Sequence, residues 1–181
     1  ELYRVVDLPG SYGLTANSAE EVVTRTYIEH GYADIVCIIV DASQLERSLY
    51  MLADFAGVKS PVMLVLNMMD VAEQKGKKID VQKIEKLLNI PVLGFTAANL
   101  DDYPKFFETL NRALEKKATI SSDKIRDIVE REGEKSRVAN LKKLEDLIAY
   151  LKFDNRERFW VASKLLENDS LVRSEVETAE S

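Results

Sequence analysis

Two hydropathy periods alternate along the first two thirds of the chain. Short runs rich in apolar and β-branched residues fall at 2–7, 34–40, 61–66 and 91–95. Each is followed by a stretch in which apolar positions recur every three or four residues. The short runs read as strands and the longer period as amphipathic helices. Ser18-x-x-Glu21 is a capping box, and the spacing predicts a helix from there to about His30, with Gly31 as its stop. Further helices are predicted from about Leu45 to Ala56, ending at Gly57, and from a cap at Asp80 to near Asn89. Another opens at Asp101 or Asp102 and runs to about Lys116, with Tyr103, Phe106, Phe107, Leu110 and Leu114 on its apolar face. Residues 8–17, with Pro9, Gly10 and Gly13, and residues 71–79, with Gly76, read as loops. The run at 34–40 is unbroken, so that strand is expected to be buried on both faces. Alternating strands and helices indicate an α/β fold with a mostly parallel sheet.

The alternation stops near residue 117. Beyond it the pattern predicts helices over 122–132, 135–151 and 154–168, a hinge at 118–122, and a polar, frayed tail from about Asn168. Val138, Leu141, Leu144, Leu147, Ile148 and Leu151 mark the apolar face of the middle helix. Phe159, Trp160, Leu165 and Leu166 supply apolar mass to the third. The expected division is an α/β part over 1–117 and a small all-α part over 118–181.

Composition narrows the function classes. With 46% hydrophobic and 31% charged residues, 181 residues can bury a real core. A net charge of −6 argues against nonspecific nucleic-acid binding, which needs a concentrated basic face, and no nucleic-acid partner is expected. No apolar run approaches the roughly 20 residues of a membrane-spanning helix. The chain opens directly on a strand pattern, an abrupt start expected of a fragment. The single cysteine, Cys37, lies inside the 34–40 run and is expected to be a buried, inert core thiol. Carboxylate pairs such as Glu20-Glu21 and Asp101-Asp102 sit at predicted helix starts, where capping and dipole effects explain them. No His/Cys cluster suits a transition metal. His30, the only histidine, reads as a solvated residue at a helix C-terminus. Asp41 reads as a loop or helix cap.

The candidate chemistry lies where strands end, as ligands do in open α/β sheets. The strand at 61–66 runs into Asn67-Met68-Met69-Asp70. The Asp of Asn-x-x-Asp can accept hydrogen bonds from N1–H and the exocyclic amine of guanine, a pair adenine does not offer. Asn67 would brace the neighbouring loops. Upstream, Asp7-Leu8-Pro9-Gly10 has Asp-x-x-Gly spacing. Asp7 would hold a Mg²⁺-coordinated water, and the Gly10 N–H would meet a γ-phosphate, glycine allowing the backbone close to an anion. Thr96-Ala97-Ala98 follows the 91–95 strand, where backbone N–H groups could reach the base oxygen. Each motif alone has an ordinary alternative: a strand end, a Pro-Gly turn, a loop of small residues. In this order they indicate the guanine-nucleotide half of a GTPase. No Gly-x-x-x-x-Gly-Lys-Ser/Thr phosphate loop occurs in the 181 residues. Position 11, where Ras-like GTPases often place a water-positioning glutamine, is Ser11. Any hydrolysis should therefore be slow or use another group, and no catalytic residue is assigned.

Three segments together carry a resemblance: Val6-Asp7-Leu8-Pro9-Gly10-Ser11-Tyr12-Gly13-Leu14-Thr15, then Val40-Asp41-Ala42-Ser43-Gln44-Leu45-Glu46-Arg47-Ser48-Leu49-Tyr50, then Leu66-Asn67-Met68-Met69-Asp70. They resemble the ferrous iron transport protein B family, and Phe159-Trp160-Val161-Ala162-x-Lys164-Leu165-Leu166-Glu167 resembles its cytosolic helical domain. Gly13 stands where family members usually have Ser. The resemblance implies a Ras-like P-loop GTPase sheet followed by a helical domain like a nucleotide-dissociation inhibitor. It also implies GTP/GDP and Mg²⁺ as cofactors and an Fe²⁺ permease in the same parent chain, on the cytoplasmic face of a prokaryotic inner membrane. It is compatible with a homo-oligomeric parent. On matching positions, Asp7 and Gly10 form the γ-phosphate switch, Asn67, Met68 and Asp70 the guanine reader, and Thr96, Ala97 and Ala98 the third base loop.

In such a sheet the strand feeding the phosphate loop lies between those matching 2–7 and 34–40. Without it, either strand 2–7 pairs directly with 34–40 or residues 1–33 are displaced. The fragment is expected to bind GTP far more weakly than an intact domain and not to turn it over, although the intact parent would be a GTPase. The alternative is a non-catalytic adaptor derived from a GTPase and acting through its helical part.

Overall fold

The computed structural model describes residues 2–10, Leu14, residues 18–131 and residues 135–179. Ser11, Gly13 and Thr15, singled out above, lie outside them. Three strands, β1 (Val36–Asp41), β2 (Val62–Asn67) and β3 (Val92–Gly94), form a parallel sheet in the order β1-β2-β3. The helices are α1 (Ala19–Glu29), α2 (Leu45–Ala53), α3 (Met69–Gln74), α4 (Val81–Leu88), α5 (Tyr103–Lys116), α6 (Ser122–Arg131), α7 (Lys135–Leu147), α8 (Arg158–Leu166) and α9 (Ser170–Ala179). The fold class is α/β, as the alternation implied. In register, Asp41 faces Asn67 and Leu66 faces Gly94, so all three strands deliver their C-terminal residues to one edge.

Strand β2 is central, and its residues Val62 to Leu66 are all buried. On one face, Met63, Val65, Leu93 and Phe95 pack against Leu110 and Ala113 of α5. On the other, Ile38, Val40, Leu64, Leu66 and Val92 join a larger core. That core continues through Leu52, Phe55 and Val58 to Leu141, Ile148, Trp160 and Val172 of the helical region.

The sheet departs from expectation on its β1 side. Residues 2–10 form no strand; residues 2–7 are exposed, with Val5 86% accessible, and Leu8 is half-buried against the larger core. Of the two arrangements expected, pairing of 2–7 with 34–40 does not form, because a strand needs a partner edge and this segment lies elsewhere. Tyr3 stacks on Phe107 of α5 at 6.4 Å and donates its hydroxyl to Asn111 Oδ1 at 2.5 Å. Strand β1 is consequently buried on one face only. Ile38 and Val40 are inside, whereas Ile39 is 62% exposed and Cys37 is exposed as well, because α5 covers β2 and β3 but not β1. The expected core cysteine is therefore a surface thiol on an uncovered sheet face. Partial burial of the sulfur still pushes its pKa above the ordinary thiol value.

Three other expectations shift. Residues 71–79 are not all loop, because α3 begins at Met69. Helix α7 ends at Leu147 and α8 begins only at Arg158, because Asn155, at φ +55°, caps α1. Its Nδ2 donates to the carbonyls of Ile28 and Glu29 at 3.1 and 3.0 Å. The tail is not frayed over 170–179. Asp169 Oδ1 accepts the N–H groups of Leu171 and Val172 at 3.1 and 3.0 Å, starting α9, and Val172 and Val176 are buried one turn apart.

Buried charge joins the helical region to the rest. Arg25 of α1 donates Nη1 to Asp169 Oδ2 and Nε to Glu29 Oε1, both at 2.7 Å, with its guanidinium 4.9 Å over the Trp160 ring. Its side chain is 3% exposed and that of Asp169 is 0%. Lys164, fully buried, bridges Asp54 Oδ1 and Glu167 Oε2 at 2.9 Å each. The other oxygen of Asp54 accepts the Leu14 N–H at 2.9 Å, and its carbonyl accepts Trp160 Nε1 at 2.8 Å. Gly57, at φ +86°, lets α8 approach: an added Cβ there would lie 3.2 Å from Trp160 Cβ and 3.3 Å from Glu157 Cβ.

Candidate functional site at the strand ends

The parallel register places Asn67 at the tip of β2, beside the loop that follows β3. Phe95 N donates to Leu66 O at 2.9 Å and Met69 N to Phe95 O at 3.3 Å, stitching the two strand exits together. Asn67 then reaches across: its Oδ1 accepts the Ala97 N–H at 3.1 Å. The bond ties the loop after β2 to the loop after β3. Met68 turns the chain at φ +63°, left-handed and unusual for a residue with a side chain, and α3 starts immediately after it. Such strain costs about 1–2 kcal/mol and persists where surrounding contacts over-determine it. The turn puts Asp70 in the first turn of α3, exposed.

The loop 96–98 is shaped by several hydrogen bonds. Thr96 N donates to Asp102 Oδ2 at 3.1 Å, Asn99 N donates to Thr96 O at 2.8 Å, and the Tyr103 hydroxyl donates to Ala97 O at 3.2 Å. Thr96 is half-buried; Ala97 and Ala98 are exposed. Asp70 and Thr96 line one cleft of about 620 Å³, together with Met69, Gly76, Lys77 and Asp80. A larger open cleft of about 1050 Å³ lies along α6, α7 and the approach to α8. Its lining mixes acidic and basic side chains and it is remote from the strand ends, so the smaller cleft is the candidate site.

The structure thus gathers Asn67, Met68, Asp70, Thr96, Ala97 and Ala98. Among the described residues, no hydrogen bond joins Asp7 or Gly10 to them. Asp7 is exposed at the end of the unpaired segment, and Pro9 O instead accepts the Thr24 hydroxyl of α1 at 2.9 Å. Among the described residues no group of three or more His, Cys, Asp or Glu could hold a metal ion. Asp41 takes the capping role expected of it: Oδ1 accepts Ser43 N at 2.8 Å and Oδ2 accepts Gln44 Nε2 at 3.1 Å. Desolvation pushes its carboxyl up, but hydrogen bonds from Ser43 and Gln44 and the charge of Lys75 outweigh this, and the pKa is lowered. His30 is an exposed C-cap residue of α1, with Nδ1 2.7 Å from Thr26 O. Sequence reasoning placed Tyr103 on an apolar helix face and did not foresee its polar role at this site. Aromatic residues in a helix signal packing, and nothing in the local pattern points the hydroxyl at a loop.

Comparison with known proteins agrees with this geometry. The sequence profile of the family described as "Ferrous iron transport protein B" matches residues 1–110. The Fe(2+) transporter FeoB of Helicobacter pylori is 35% identical over 98 residues, 54% of this chain and 15% of the relative. That of Salmonella typhimurium is 40% identical over 93 residues, 49% of this chain and 12% of the relative. Among solved structures, the cytosolic domain of the T. maritima FeoB iron transporter in its GMPPNP form aligns with a TM-score of 0.76 at 29% identity. The alignment covers 95% of this chain and 65% of that one. NFeoB from S. thermophilus bound to GDP·AlF₄⁻ and K⁺ aligns with a TM-score of 0.71 at 30% identity, covering 94% of this chain and 63% of that one. The chain therefore spans less than a sixth of these two transporters and just under two thirds of these cytosolic-domain structures. A profile match over more than half of its length, converging with the strand-end geometry, places the chain in the ferrous iron transport protein B family.

Proposed function

We propose that this segment is the guanine-reading part of the GTP-binding region of a ferrous iron transporter, and that the intact protein hydrolyses GTP to GDP. The observation that carries the reading is the 3.1 Å hydrogen bond from Ala97 N to Asn67 Oδ1. It holds two strand-end loops together beside the cleft that Asp70 and Thr96 line. In this site Asp70 accepts from N1–H and the 2-amino group of guanine. The backbone of Thr96–Ala98 donates toward O6, and Met68 flanks the base. Adenine offers an amine where guanine has O6 and no proton on N1, so it leaves both sets of groups mismatched.

Asp7 is assigned to a Mg²⁺-bound water and Gly10 to the γ-phosphate. A Mg²⁺ that keeps its waters needs few carboxylates, and a lone aspartate suits that chemistry. Bound there, the ion would neutralise charge on the phosphates. No chemical step is assigned to a residue of this chain. The 181 residues contain no phosphate loop, so on their own they should bind nucleotide weakly and turn none over. Residues 1–117 form the nucleotide part and 118–181 the helical part. No helix among the described residues is long and apolar enough to cross a membrane. We assign the Fe²⁺ permease to another part of the same parent protein, with this region on the cytoplasmic face and self-association a matter for the whole parent.

The test is a titration of fluorescent GDP against this chain and against a version supplied with an N-terminal phosphate loop, with GTP and ATP as competitors. Tight binding by the supplemented version alone, competed by GTP and not ATP, is the expected result. No binding by a well-folded supplemented version would overturn the nucleotide reading in favour of a non-catalytic adaptor.

A further inference from the structure

The loop 96–98 is held from two sides, and the second side comes from a residue the guanine motif does not include. Tyr103 opens α5 with its ring edge-on to Phe95, centroids 5.4 Å apart at 71°, and Phe95 is itself buried. That contact fixes the ring, which is 39% exposed, and delivers its hydroxyl to Ala97 O at 3.2 Å. Ala97 is therefore engaged at both ends: its N–H by Asn67 and its carbonyl by Tyr103. A trans peptide is planar, and its C=O and N–H point in opposite directions. Fixing the Ala97 carbonyl toward Tyr103 fixes the Ala98 N–H away from it. Among the described residues, the Ala98 N–H donates to no protein acceptor, although the N–H groups of Thr96, Ala97 and Asn99 all do.

We propose that Tyr103 is a positioning residue for guanine recognition. Its hydroxyl sets the plane of the 97–98 peptide, so that the unengaged Ala98 N–H is presented to O6 of the base and nucleotide release is slowed. The inference rests on the nucleotide reading above and deepens it by naming the donor that meets O6 and the residue that aims it.

The test uses the whole parent protein, phosphate loop included, and its Tyr103→Phe variant, which keeps the ring contact with Phe95 and removes only the hydroxyl. Release is followed by stopped flow with GDP and with 6-thio-GDP, whose sulfur is a weak acceptor at the same position. The variant is expected to release GDP about two- to tenfold faster, the range set by the net worth of one hydrogen bond. Association and far-UV circular dichroism should be unchanged. Because 6-thio-GDP already forfeits the contact with the loop, wild type and variant should release it at the same rate. A purely structural role would speed release of both nucleotides equally; that result, or unchanged GDP release, overturns the role of Tyr103. Wild-type protein that binds neither nucleotide overturns the nucleotide reading itself, and this inference with it.

Discussion

Replacing Arg25 by methionine separates what the buried ion pair contributes from what its removal exposes. The guanidinium makes two 2.7 Å contacts, to Asp169 and Glu29, and lies over Trp160. Burial alone would lower the arginine pKa, yet its acidic partners outweigh this and raise it. Asp169, with a side chain 0% exposed, keeps its α9 cap after the substitution but loses its 2.7 Å contact with the guanidinium. Breaking one side of a buried pair costs about 3–5 kcal/mol. At about 2–4 °C per kcal/mol for a chain of this size, that corresponds to a melting temperature lower by roughly 6–20 °C. Asp169→Asn in the same background removes the buried carboxylate and keeps an amide oxygen for the cap. The double variant should therefore recover part of the loss and be more stable than Arg25→Met alone. Trp160 is the only tryptophan, fully buried and in contact with the guanidinium, so its fluorescence in a urea titration reports directly on this junction. Additive losses in the double variant would refute the argument that the lost guanidinium–carboxylate pairing dominates.

Asp41 has a lowered folded pKa, so the stability it contributes is present above the unfolded aspartate value near 3.9 and disappears as pH falls through its folded value. The stability gap between wild type and Asp41→Asn in urea titrations should close below about pH 4. Cys37 should react with a thiol reagent in the native chain without denaturant. Its raised pKa should make the rate climb with pH to beyond the ordinary thiol range, whereas a thiol labelled only after unfolding would contradict its exposed position. Val172→Ala should cost about 1–3 kcal/mol and open residues 170–179 to limited proteolysis, because Val172, in the first turn of α9, is wholly buried.

Local signals in the sequence transferred well where structure is locally determined. Ser18 accepts the Glu21 N–H at 3.1 Å as the capping box requires, Gly31 is left-handed at φ +65°, and Asp80 caps α4 through Lys83 N. The apolar runs at 61–66 and 91–95 became paired strands. The run at 2–7 carries the same local preference and formed none, because a strand is a property of two segments. The Asp169 cap and the Val172/Val176 spacing are local signals for α9, but the polar composition of the tail masks them. Asn67 and the 96–98 loop were legible as neighbours because motif spacing puts them where adjacent strands end, and Asp70 follows in the first turn of α3. The partnership of Arg25 with Asp169, 144 residues apart, and of Lys164 with Asp54, 110 apart, leaves no local trace at either end. A buried lysine looks, in sequence, like any solvated lysine on a helix.

Gly57 constrains how this chain can drift over evolutionary time. Any side chain there would adopt an unfavourable backbone conformation and press on the Cβ atoms of Trp160 and Glu157. The same residue accepts Glu157 N at its carbonyl and donates its N–H to Ile120 O, so three segments meet on one α-carbon. A lineage can exchange many surface residues around it, but substitution at 57 must be accompanied by movement of α8, and with it Trp160, Lys164 and the Asp54 contacts. Descendants that retain the helical packing should therefore retain this glycine even where the nucleotide motifs decay.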